Sequence, residues 1–325
     1  MTQVTPPART ARGTVLIVFA SVSFGTSGPL AKPAMEAGLS PQQVASVRIG
    51  LAALVLLAVV AVWRPALLRV RRSDWRLLLG FGLVGVAAVQ VLYFAAVARI
   101  PIGIAMLLEF TAPVLVALWV RFVRRTVLPA RMWAGTVLAM VGLAMVAQVW
   151  QGLRLDVLGL LAGGGAALCA AGYFLIGERA ATTLEPLGLA TWGMVVGAVA
   201  IAVFVPPWTI PVEVLGRDAD FGPWQPPVWT LLVACAVIST ALAYLLSTSS
   251  LRYMPANVVS VLALCEPVVA MTLAWLILGQ ALTAVQLAGA AVLLSGATVV
   301  QLAARTPVLA DLPPAGESLT PRNEA

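Results

Sequence analysis

Residues 101–122 read "PIGIAMLLEFTAPVLVALWVRF". Pro101 opens the stretch, Glu109 is its one charge before Arg121, and Pro113 follows four residues behind the acid. At 1.5 Å per residue such a run is long enough to cross the ~30 Å hydrocarbon core of a bilayer as a helix. Nine further apolar runs of about the same length complete a series at 13–31, 44–63, 77–98, 101–122, 132–150, 157–178, 186–207, 228–249, 255–278 and 284–303. With 61% hydrophobic and 10% charged residues in 325, the chain has too little polar surface for a soluble fold. The fold expected is an all-α integral membrane protein of ten transmembrane helices. Arg9 and Arg12 before the first run mimic a signal peptide, but Lys32 and the nine runs behind it speak against one.

The net charge of +7 invites a nucleic-acid reading that its distribution refutes. If the runs alternate across the membrane, one side receives only Lys32, Arg99, Arg154 and Arg217; Arg48 lies inside a run, and the other 15 of the 20 basic residues fall on the side of both termini. A bias of that size places both termini in the cytoplasm of a bacterial-type inner membrane, where the basic loops meet anionic headgroups. Membrane lipids are thus expected partners and nucleic acid is not. Cys169, Cys235 and Cys265 all fall within runs without a CxxC pair, and there is no histidine, so neither a metal nor another cofactor is expected.

Sliding the chain on itself by 154 residues lays 101–146 on 255–300 without a gap. Pro101 meets Pro255, Pro113 meets Pro267, Gly135 meets Gly289 and Gly142 meets Gly296. Upstream the copies drift by a few residues, with Tyr93 facing Tyr244. The organisation expected is a cytoplasmic tail (1–12), a five-helix repeat (13–150), a second five-helix repeat (151–303) and a disordered cytoplasmic tail (304–325). Five spans per repeat would insert the second copy upside down, the arrangement by which many secondary transporters build a substrate site between their halves.

Pro113 and Pro267 stand inside spans, where each removes a hydrogen bond to the carbonyl four residues back and so marks a helix break or bend. Freed backbone groups at that depth are tolerated beside neighbouring helices or a water-filled cavity. Glu266 lies about 16 Å along its helix from Pro255, and Glu109 about 12 Å from Pro101. A charge at the bilayer centre costs about 2.5–3.5 kcal/mol on insertion scales, so both acids are candidates for binding a substrate ammonium or a proton, against a protonated packing role. Arg48, near one end of the second span, is a candidate for a substrate carboxylate, and Lys32 a weaker one; either could simply snorkel. Tyr93, Tyr173 and Tyr244 each bring a hydroxyl into a span and so line a polar cavity or pack in the core. "FGTSGPLAKP" (24–33) reads as an irregular end of the first span, and "AGGGAA" (162–167) as a close-packing surface.

These features together resemble the drug/metabolite transporter superfamily and its EamA-type members over residues 13–303. "GIAMLLEFTAPVLVAL" and "ASVRIGLAAL" are most similar to bacterial threonine/homoserine and other amino-acid exporters. The resemblance implies alternating access through a central cavity lined by spans one, three, four, six, eight and nine. Glu109 matches the acid of the family's E-F-T-x-P stretch, Glu266 that of its second-half E-P, and Arg48 the arginine of its second span. Gly279-Gln280 stands where members carry Gly-Glu, which removes any ionic role there.

The expected function is export of a small metabolite, an amino acid or related zwitterion, with protons as a possible coupling ion. A multidrug, quaternary-cation or lipid-type exporter is the rival, and few aromatics in the cavity-lining spans weigh against it. A membrane enzyme is a remote alternative: no Asp lies inside a span, and no phosphate loop is present. Monomer and homodimer stay open.

Overall fold

The computed structural model describes residues 7–150 and 156–305. Residues 1–6 and 306–325 of the tails expected at 1–12 and 304–325, and Arg154, lie outside them. Nine described helices are long and apolar enough to cross a membrane, and a tenth is shorter. In chain order they are α1 (Arg9–Glu36), α2 (Pro41–Trp63), α3 (Trp75–Val97), α4 (Ile102–Val123), α5 (Ala130–Val146), α6 (Val157–Ala180), α7 (Pro186–Phe204), α8 (Val228–Ser250), α9 (Ala256–Leu278) and α10 (Ala284–Ala304).

Local chemistry sets several ends. Ser40 caps α2 through a reciprocal box, its hydroxyl accepting from Gln43 N (3.2 Å) while Gln43 Oε1 accepts from Ser40 N (2.9 Å). Asp156 accepts the Gly159 N–H at 2.8 Å to start α6. The first span is longer than the apolar run 13–31. After a turn at Thr26 the helix resumes at Ser27 and continues to Glu36, which pairs with Lys32 at 3.5 Å, so Lys32 lies within a helix instead of ending one.

The bundle has two faces. On the terminal face, where the first and last described residues lie, Trp192 Nε1 donates to Leu67 O at 3.0 Å and the Arg12 guanidinium sits 5.1 Å from the Tyr253 ring centre. On the opposite face, Gln43 Nε2 donates to Thr209 O (2.9 Å), Ser46 Oγ to Val205 O (3.1 Å) and Gln148 Nε2 to Thr283 Oγ1 (2.8 Å). The 207–226 segment folds there into a short helix (Val212–Leu215) and two isolated bridges, and Val214 and Ala219 pack on Leu30, Ala34 and Leu39.

Helix pairing follows a pattern. α1 packs on α8 and α9 as α6 packs on α3 and α4, α2 on α8 as α7 on α3, while α2–α7, α4–α9 and α5–α10 pair directly. π-helical turns interrupt α3 at Leu83–Ala88 and α8 at Val237–Leu242, 154 positions apart. That spacing sets Gln90, rather than Tyr93, opposite Tyr244. α5 and α10 form the most intimate pair: a Cβ added at Gly135 would lie 2.8 Å from Gly296 O, and one at Gly289 would lie 2.9 Å from Gly142 O.

Candidate substrate cavity

α4 and α9 are each broken in mid-span. Helical geometry ends at Glu109 and resumes at Ala112; in α9 it ends at Ala263 and resumes at Cys265. Pro113 and Pro267 therefore stand in the first turn of a new helical segment, where the missing N–H is one of the orphans of any helix start. The Thr111 hydroxyl stabilises the first break by donating to Leu108 O at 2.6 Å. Each acid lies beside a break: Glu109 ends the first segment of α4, and Glu266 is the second residue of the second segment of α9. The second segment of α9 approaches α1 at Gly25, where an added Cβ would come within 2.8 Å of Val269.

Both acids face one cavity of about 480 Å³. Arg48, Tyr93, Tyr173, Tyr244 and Pro113 line it too, whereas Pro267 is buried behind it. Its wall reaches Met35, Pro41, Val97 and Ile102 on the face opposite the termini, and Ser247 and Ser260 form its floor about one turn short of the terminal face. α2 contributes Val44, Ala45 and Arg48, so the lining includes a helix beyond the six that the resemblance implies; α5, α7 and α10 supply no lining residue among those described.

Arg48 Nη1 donates to Ser27 Oγ at 2.9 Å, the first residue after the turn that interrupts α1. The irregular "FGTSGP" stretch thus holds a guanidinium at the cavity wall. Arg48 is near enough to Glu109 and Glu266 to interact with both charges. Among the described residues neither carboxylate has a hydrogen-bond partner or an ion pair within 4.0 Å. Two acids and one base are thus half-buried and open to a common space.

The tyrosines divide. Tyr173 and Tyr244 are buried and meet edge to face, centroids 5.5 Å apart. Tyr173 donates to Ser247 Oγ at 2.8 Å, while Tyr244 reaches Gly85 O only at 3.5 Å. Gly85 is needed there, since an added Cβ would lie 3.0 Å from the Tyr173 ring. Tyr93 packs apart from this pair, against Phe94 at 5.7 Å. The sequence reading expected few aromatics around the cavity, but its lining holds seven, with Phe24, Phe94, Phe110 and Phe174 beside the three tyrosines. Rings scattered through the chain converge because α1, α3, α4, α6 and α8 all turn one face inward. Gln90, one turn from Tyr93, also lines the cavity and was not singled out from sequence; its signal was an uncharged amide inside an apolar run. Among the described residues no group of three His, Cys, Asp or Glu could hold a metal ion.

The model of the EamA-like transporter family matches residues 11–148 and again 157–302. The chain belongs to the EamA-like transporter family. It is a multi-pass membrane transporter, not an enzyme. The threonine/homoserine exporter RhtA of Escherichia coli (strain K12) is 32% identical over 274 residues, 84% of this chain and 85% of the relative. RhtA of Salmonella typhimurium (strain LT2) is 31% identical over the same shares. The uncharacterized transporter YwfM of Bacillus subtilis (strain 168) is 25% identical over 85% of this chain and 89% of its own. A crystal structure of a protein 20% identical to the transporter superposes with a TM-score of 0.72, covering 91% of this chain and 98% of the other, and speaks for the fold alone.

Proposed function

We propose that this transporter exports a small zwitterion, an amino acid above all, by alternating access across a bacterial-type inner membrane. The carrying observation is that Glu109, Glu266 and Arg48 line one cavity, with neither carboxylate hydrogen-bonded or ion-paired within 4.0 Å among the described residues. An amino acid supplies an ammonium for the acids and a carboxylate for the guanidinium, whose planar fork suits it. Vacant acids are equally suited to carry a proton, so a proton taken up as substrate leaves gives antiport a physical basis. The names of the RhtA relatives support a hydrophilic amino acid as cargo.

The distribution of basic residues favours a cytoplasmic terminal face, which makes the described state outward-open. The double match to one family unit, the 154-residue offset of the π-turns and the reciprocal helix pairing support two five-helix halves of opposite orientation.

The seven aromatic rings favour a second reading, a lipophilic-cation exporter of the same family. Arg48 weighs against it, because a fixed guanidinium beside the acids competes with a cationic guest. The test compares metabolites in the medium of cells expressing the wild type or an E109Q/E266Q variant at equal membrane levels. An amino acid enriched only by the wild type is the expected result. Equal enrichment by both would remove the acids from the mechanism, and enrichment of neither, with wild-type-dependent resistance to a quaternary cation, would favour the rival.

A further inference from the structure

Glu178 sits one turn beyond the cavity-lining Phe174 on α6, at the terminal face, and takes no part in the site described above. Its Oε2 contacts Arg124 Nη1, at the end of α4, at 2.5 Å; its Oε1 accepts the N–H of Ala256, the first residue of α9, at 3.0 Å. One carboxylate thereby ties three helices together on the face where the cavity is closed. Of the three ion pairs among the described residues, Lys32–Glu36 lies within one helix and Arg99–Asp156 joins exposed groups on the open face. The Glu178 side chain is 17% exposed, against 44% and 58% for the acids of those two pairs. Partial burial reduces solvent screening and strengthens the contact, and a carboxylate at the start of α9 also faces the positive end of that helix.

We propose that Arg124, Glu178 and the amino end of α9 form a latch that holds the terminal face shut while the cavity is open on the other side, and that parts when the terminal face opens. The helices it joins lead into the site. α6 carries Tyr173 and Phe174, and the first segment of α9 carries Ser260 before the break that precedes Glu266. The latch spans α4, α6 and α9 on the terminal side of the floor at Ser247 and Ser260, so a path opening between these helices must part it. The latch presupposes alternating access, as proposed above.

The test labels a single cysteine, A263C, placed in the cavity wall of a C169A/C235A/C265A background reconstituted in vesicles. A membrane-impermeant maleimide is added from either side. With the latch intact, labelling comes from the cavity's open side and is slow from the terminal face. E178Q keeps an oxygen for the Ala256 N–H but removes the charge, and R124Q leaves the cap untouched. Each is expected to raise terminal-side labelling by about fivefold or more, with R124K restoring most of the protection. Terminal-side labelling unchanged in both variants would overturn the latch. Equal labelling of the parent from both sides would instead refute one-sided access itself.

Discussion

Gly142 and Gly164 offer a matched test of what the α5–α10 contact contributes. A Cβ at Gly142 would press hardest on Leu293 N and stand 2.7 Å from Gly289 O and 2.7 Å from Leu293 Cα, all main-chain atoms that no rotamer change can move. Restoring ordinary contact near 3.5 Å to the nearest of these atoms requires the helices to part by about 1 Å, a gap that forfeits about half of the local dispersion well. Overpacking of this kind costs about 1–3 kcal/mol, against a helix-propensity gain of up to about 1 kcal/mol for Gly to Ala. At Gly164, within α6, an added Cβ meets nothing within 4 Å and only the gain remains. The propensity gain is common to both variants and cancels, so G142A should be about 1–3 kcal/mol less stable than G164A, a difference on the order of 2–6 °C in the midpoint for loss of the monodisperse peak on heating in detergent. Because neither α5 nor α10 lines the cavity, KM for transport should stay unchanged in folded G142A. Equal midpoints for the two variants would refute the reading that backbone contact through these glycines joins the helices.

Other outcomes follow from the site. Y173F removes the 2.8 Å hydrogen bond to Ser247 and should lower stability by about 1–2 kcal/mol, whereas Y244F, losing only a 3.5 Å contact, should be nearly neutral; thermal midpoints of the two decide it. R48K keeps the charge but loses the planar fork, so substrate KM should rise about tenfold, measured by uptake of labelled amino acid into vesicles. P113A restores an N–H able to reach Glu109 O. It should straighten α4 and impair transport without lowering the thermal midpoint, and unimpaired transport would show that the break is dispensable.

The spans were legible because transfer into hydrocarbon is a local, additive property of about 20 consecutive residues. A mid-span glutamate is conspicuous for the same reason, and prolines at equal spacing mark their breaks by covalent geometry alone. The end of α1 was less legible: Lys32 and Glu36 look like a boundary in one dimension, yet an i, i+4 pair lets the helix run on. The tyrosine register misled as well: both copies carry a π-turn at the same place, so the 154-residue offset holds upstream too, and Tyr93 and Tyr244 match in residue type without matching in position.

By itself, then, the sequence determined the membrane fold, the number of spans and which acids fall inside them. Only tertiary structure decided that Arg48, bound to Ser27 from 21 positions away, would share a cavity with Glu109 and Glu266, and that seven rings from five helices would surround them. It also decided that Glu178, an unremarkable acid at the end of a run, would join α4, α6 and α9. The reason is physical: burial in lipid is set residue by residue along the chain, whereas a cavity and its latch exist only where rotations of separate helices bring particular faces together.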